Sequence, residues 1–215
     1  MASDNQASTK GIVVHVKNMV STSCVKLVKL LLDKEQISYG TLRLGEIELV
    51  DIVDDLQMQA IKDLLTNNGF PVIKTRNARL AEQIKLAVID LVHYSTYNAM
   101  VRNSDYLVER FDMTYQHLSS VFSQHEHITL EKYIILQRIE RVKELIHEDE
   151  LSLSEIAFIM GYSSVQYLST QFKNITGISV TDFKKDPAQY RIGLDQVGSN
   201  IDILEIHDDA YRRPV

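Results

Sequence analysis

The feature that most constrains this chain is the run from Leu153 to Lys173, L-S-E-I-A-F-I-M-G-Y-S-S-V-Q-Y-L-S-T-Q-F-K. Leu153, Ile156, Ala157 and Met160 fall at helical spacing and give a first helix one apolar stripe. Ala157 is small enough to let a second helix cross closely. Gly161 stops the first helix where a positive φ is wanted. Ser163 or Ser164 can cap the second, and Leu168 and Phe172, four apart, give it a buried face. Two short helices joined this tightly form a helix-turn-helix, whose second helix can lie in a DNA major groove.

The same pattern occurs about fifty residues earlier, between Asn103 and Tyr133. Leu107-Val108 matches Ile156-Ala157, Thr114 matches Ser164, and Leu118-Ser119 matches Leu168-Ser169. Phe122 matches Phe172, Ile128-Thr129 matches Ile178-Ser179, and Tyr133 matches Phe183, with one extra residue in the second turn. Between the two units Thr129 to His147 reads as one amphipathic helix. At 1.5 Å per residue it spans roughly 28 Å, enough to hold two recognition helices near one DNA turn apart, about 34 Å.

The tandem unit resembles the DNA-binding domain of AraC-type transcription regulators. The likeness covers roughly residues 78 to 191 and rests on Arg138 and on G-Y-S-S-V-Q-Y-L-S-T-Q-F-K-N-I-T-G-I-S-V-T-D-F-K. It is weaker in the first unit, where Asp112 replaces the turn glycine and His127 replaces the glycine matching Gly177. Val180 stands where the family usually has proline. The resemblance implies base contacts from Tyr115, Gln116 and Ser120 in the first recognition helix, and from Val165, Gln166 and Thr170 in the second. Gln166 can read adenine through paired hydrogen bonds and Val165 can pack on a thymine methyl. No arginine stands at these places, so an A·T-leaning site is expected. Arg138, Lys173 and Lys184 are the expected phosphate contacts, which position rather than specify.

The charge count opposes this reading. The chain carries −6 at neutral pH, and residues 101 to 191 hold ten Lys/Arg against thirteen Asp/Glu. Placement matters more than the sum. Much of the acid sits at Glu144, Glu148, Asp149, Glu150 and Glu155, while Arg138, Arg141, Lys143, Lys173, Lys184 and Lys185 are the residues available for a basic side. A shallow salt dependence follows, since few phosphates are neutralised.

The N-terminal part has a different grammar. I-V-V-H-V-K from Ile12 is a β-branched alternating strand, and Ser23 to Glu35 is an amphipathic helix. Tyr39 to Leu44 and Glu46 to Val50 read as strands about Gly45, Leu56 to Asn68 as a helix, and Phe70 to Lys74 as a last strand. The order βαββαβ implies a ferredoxin-like sandwich. Met19-Val20-Ser21-Thr22-Ser23-Cys24 resembles the loop of heavy-metal-associated domains, which bind a soft ion such as copper(I) through the two thiolates of M-x-C-x-x-C. Here Ser21 replaces the first cysteine, and an oxygen is a poor ligand for a soft cation. Met19 and Cys24 remain the metal candidates, but no cofactor is expected and the loop reads as a retired metal fold kept for packing or dimerisation, with weak copper(I) or other soft-metal binding as the alternative.

The fold expectation is therefore α+β: a degenerate heavy-metal-associated-like domain at 11–75, a tandem helix-turn-helix domain at 76–191, and an acidic tail at 192–215, expected to be disordered, with docking of Ile201, Ile203, Leu204 and Ile206 on another surface or a partner as the alternative. Arg76 to Tyr97 reads as a supporting helix. No phosphate-loop, nucleophile-elbow or zinc-protease motif occurs, so no enzyme activity is expected. His125-Glu126-His127 falls in a loop and reads as solvated, as do the carboxylates along the helices. The polar start, the single cysteine and the lack of a roughly 20-residue apolar run point to the cytoplasm of a bacterium, the latter through the resemblance alone. Expected partners are double-stranded DNA and, through the N-terminal domain, a second copy of the chain; no membrane partner is expected. Two other readings stay open: a metal-handling or metal-sensing protein using Cys24, and an interaction module that keeps the fold without DNA affinity.

Overall fold

A computed structural model describes residues 11–50, 54–94 and 102–198, and the chain divides into two compact units, Met1–Glu82 and Gln83–Val215.

In the first unit, β1 (Ile12–His15), α1 (Thr22–Lys34), β2 (Tyr39–Arg43), β3 (Glu46–Leu49) and α2 (Asp55–Asn67) follow in order. The sheet is antiparallel with order β1-β3-β2, in register Ile12 to Leu49 and Leu42 to Ile47. Strand alternation turns Val14 and Val16, and Ile47 and Leu49, to one side. There Val28 and Leu32 of α1 and Ile61 and Leu65 of α2, each pair four apart, close a core with Met19 and Phe70. Both helices begin on a side-chain cap: Ser21 accepts from the Cys24 amide, and Asp54 and Gln57 form a reciprocal capping box.

The expected fourth strand is corrected. Phe70 to Lys74 contributes a single antiparallel bridge, Val16 to Val72, on the free edge of β1. The Lys17 amide donates to the Pro71 carbonyl and the Ile73 amide to the His15 carbonyl. Pro71 has no N–H to extend the ladder, so a strand does not propagate here. The described sheet has three strands, and the complete βαββαβ sandwich is not formed.

His15 lies on the sheet face opposite the core. Its Nε2 accepts from Arg79 at 2.8 Å and its Nδ1 faces Glu46 at 3.5 Å. Burial, then the Arg79 guanidinium, hold the imidazole below its ordinary range, against the pull of Glu46. The unfolded chain therefore binds the proton first as pH falls below about 6.5, and stability contributed by the neutral ring is lost from there down to the folded titration. Urea midpoints of the full chain should fall more steeply between pH 7.5 and 5 in wild type than in His15→Gln; parallel curves would refute this.

The second unit is helical. After α3 (Arg76–Ile89) comes a π-helical turn, Asp90–Tyr94, then α4 (Asn103–Phe111), α5 (Tyr115–Glu126), α6 (Leu130–Glu148), α7 (Leu153–Ile159), α8 (Val165–Thr176), α9 (Val180–Phe183) and a 3-10 turn, Pro187–Tyr190. The π turn was not anticipated, and the expected helical residues 95 to 97 lie outside the described residues. Helix α6 is central to this unit, packing against the π turn, α5, α7 and α8.

Candidate nucleic-acid interface

The internal repeat is realised in the caps of the second and third helices of each unit, although α4 has no side-chain cap and α7 starts on a Ser152–Glu155 capping box. Thr114 and Ser164 cap α5 and α8 by accepting from the third amide of each helix, and Thr129 and Ser179 cap α6 and α9 in the same way. Leu118 and Leu168 are buried, as are Phe122 and Phe172. The Phe122 ring lies 5.1 Å from Tyr133, and the Phe172 ring lies 5.5 Å from Phe183. Helix α5 ends on His127 at φ 58°, and α8 ends on Gly177 at φ 76°. Asp112 turns the first unit at φ 51°, in the left-handed region that aspartate tolerates better than most residues. The departures from glycine thus keep the geometry. One matched pair differs: Ala157 is buried, whereas Val108 is exposed.

Of the base-contact candidates, Gln116, Ser120, Gln166 and Thr170 are exposed, and Tyr115 and Val165 are half-buried at the helix starts. The apolar residues Leu118, Phe122, Leu168 and Phe172 occupy the inner faces, so the outer faces of α5 and α8 are left to polar side chains, uncharged but for Lys173 among the exposed candidates. Sequence reasoning passed over His117, Gln124 and Asn174, which are exposed on these helices too.

The expected basic side is corrected in part. Lys143 is buried, 2.5 Å from Glu140, and donates to the Tyr190 carbonyl. Arg141 pairs with Glu144 at 3.0 Å and lies 3.8 Å from Glu148. Lys173, Lys184 and Lys185 are exposed, with Lys184 3.4 Å from Asp149 and Lys185 2.8 Å from Asp182. Glu140 also overturns the solvated-carboxylate reading: burial pushes its carboxyl up, against the pull of Lys143. Likewise Glu126 is no loop residue; it closes α5 and bonds the buried Lys85 at 3.2 Å.

Arg138 turns toward the second turn. Its guanidinium lies 4.6 Å over the Tyr162 ring and donates to the Met160 carbonyl. Tyr162 donates to Gln171 at 2.8 Å, and burial pushes its phenol up to about 12, against the Arg138 charge. This Arg138–Tyr162–Gln171 cluster ties α6 to both helices of the second unit. A tyrosine directly after the turn glycine was the available signal. Arg138→Met should lower stability by about 1–3 kcal/mol, because a cation–π contact and a charge-assisted hydrogen bond are both lost. Arg138→Lys should restore little, lacking the flat fork. Unchanged urea stability with a salt slope of DNA binding reduced by about one would instead make Arg138 a phosphate contact.

In the first unit Met19 is fully buried and its sulfur accepts from the Gly45 amide at 3.2 Å. The Cys24 thiol is 3.4 Å from the Ser21 hydroxyl. Among the described residues no group of three His, Cys, Asp or Glu is placed to hold a metal ion. Copper(I) titration against a competing chelator is expected to give the same result for wild type and Cys24→Ala; Cys24-dependent binding would contradict this.

A helix-turn-helix domain family matches residues 107–186. That assignment and the paired caps define the class of this segment: a tandem helix-turn-helix domain. The chain is 23% identical over 117 residues to the Msm operon regulatory protein of Streptococcus mutans, spanning 54% of this chain and 42% of that one. It is 26% identical over 106 residues to the Xylose operon regulatory protein of Haemophilus influenzae, spanning 49% and 26%. The chain thus spans less than half the length of these curated relatives. The solved C-terminal domain of AraT, a response regulator from Geobacillus stearothermophilus, is similar at 21% identity and TM-score 0.44, covering 55% of this chain and 92% of that one. No helix among the described residues is long and apolar enough to cross a membrane.

Proposed function

We propose that this chain is a sequence-specific, DNA-binding transcriptional regulator of the AraC type, working in the cytoplasm, without enzymatic activity, and with its two recognition helices in successive major grooves. The observation that carries it is the pairing of two capped helix-turn-helix units whose α5 and α8 bury one face and expose Gln116, Ser120, Gln166 and Thr170 on the other. The operon-regulator relatives support the same reading through this segment.

The mechanism follows from the chemistry of those faces. Glutamine offers one donor and one acceptor, the complement of the adenine edge in the major groove, while Ser120 and Thr170 can bond any base edge. The half-buried Val165 at the start of α8 offers a methyl surface to thymine. Exposed Lys173 and Lys184 supply phosphate contacts that fix register. With Lys143 and Arg141 committed to carboxylates, few cations remain to release counterions, so base contacts must carry more of the affinity. The N-terminal unit, a ferredoxin-like derivative in this reading, would serve pairing of two chains. Selection of bound duplexes from a random pool, followed by footprinting, tests the proposal. A recovered A·T-leaning site protected over two adjacent turns supports it, and no enrichment over random DNA rejects it.

A further inference from the structure

Helix α6, between the two helix-turn-helix units, carries buried polar groups that the DNA-binding reading does not use. Gln137, Glu140 and Lys143 stand three residues apart along α6, and each is buried. All three bond the backbone of the segment that follows α9. Lys143 donates to the Tyr190 carbonyl at 2.8 Å, Glu140 accepts from the Ile192 amide, and Gln137 donates to the Leu194 carbonyl at 3.3 Å. The contacts fall on every second residue from Tyr190 to Leu194, across the short irregular stretch between the 3-10 turn and the turn at 194–198. The segment therefore runs back along α6, toward the helix start. Val197 is its buried apolar anchor, and at Gly198 a Cβ would stand 2.7 Å from Ile128 and 3.4 Å from Tyr133. This overturns disorder for residues 192–198 of the tail; Ile201, Ile203, Leu204 and Ile206 lie outside the described residues.

We propose that residues 187–198 form a detachable strap whose seating stiffens α6, and with it the strut between the two helix-turn-helix units. Most of the contacts are of a kind water can replace, polar side chains on main-chain groups, beside two apolar ones: buried Val197, and the Tyr190 ring 6.3 Å from Phe183. Their loss also reaches beyond the strap, because Gln137 is shared. Its Oε1 lies 2.9 Å from His93 Nε2 in the π turn, and its amide also donates to Tyr133 at 2.8 Å. The Leu194 carbonyl, an acceptor only, fixes which way that amide faces. Glu144 braces the other side, 3.3 Å from His93 Nδ1 and 3.5 Å from Arg191. Although burial pushes Glu144 up, hydrogen bonds from His93 and Arg141 hold its carboxyl below the usual range. The strap also lies outside the segment matched by the helix-turn-helix family, residues 107–186.

Hydrogen exchange of the full chain, read by peptide, tests this. In wild type, amides of 190–197 should exchange at least tenfold faster than those at the centre of α6, by an opening separate from global unfolding. Gly198→Val, which crowds Ile128, should speed the strap a further tenfold and the 136–144 peptide at least threefold, leaving 12–49 unchanged. Ile192→Pro removes the amide that Glu140 accepts from, together with the half-buried isoleucine side chain, without crowding Ile128, and should act in the same direction, guarding against a folding defect peculiar to the first variant. Affinity for the selected duplex should drop at least fivefold in both variants. Strap and α6 amides exchanging in step in wild type, or a freed strap with α6 unaffected, would overturn the proposal. Only the affinity arm rests on the regulator reading: a wild-type chain that binds no duplex rejects that reading, while the exchange arm still decides the strap.

Discussion

Phe172→Ala is expected to lower stability of the chain by about 3–5 kcal/mol, the range for emptying a fully packed aromatic site. Phe172 is completely buried in α8, its ring against Phe183, with the Arg138–Tyr162–Gln171 cluster on the same two-helix unit. The cavity would open between α8 and α9, beside the buried Phe183 ring. Urea denaturation followed by circular dichroism reads the change. Phe158→Ala is the internal control, since that ring on α7 is 77% exposed and its removal should shift stability by less than about 0.5 kcal/mol. If the two alanine variants were equally stable, the second unit would not be organised about Phe172. Phe122, paired with Tyr133 at the matching place in the first unit, should behave as Phe172 does.

The second large effect concerns recognition. Gln166→Ala and Gln116→Ala should each weaken binding to the selected duplex by about 10- to 100-fold, the cost of about 1–3 kcal/mol for a lost paired contact to a base. Both side chains are exposed, so folding should be unaffected. Binding to random DNA, and the salt slope, should not change, because neither residue neutralises a phosphate. Each substitution should relax selectivity in only one half of the site, one groove per helix. The double variant should approach the affinity for random duplex. Equal losses on selected and random DNA would mean that the two glutamines act through structure rather than readout.

Much of this architecture could be read from the chain. The caps at Thr114, Thr129, Ser164 and Ser179 are local devices, each settled by one side chain and an amide three residues on, so pattern alone locates them. The inner faces were legible for the same reason: leucine and phenylalanine four apart leave a helix one way to face. The edge of the sheet was less so, because the apolar run at Phe70 to Lys74 has strand composition while Pro71 withholds a donor. The charged residues of α6 were misjudged outright. Glu140 and Lys143 have the spacing of a solvated pair, and the strap that covers them lies some fifty residues away in sequence.

Sequence by itself determined the two helix-turn-helix units, the caps that start their second helices and the apolar faces those helices bury, because these follow from interactions within a few residues. Tertiary structure alone decided that Arg138 braces the second turn, that Lys143 is withdrawn from the basic side, and that the start of the tail is strapped to α6. A charged side chain has the same letter whether solvated or paired in the interior. Only the distant segment that removes its water makes the difference.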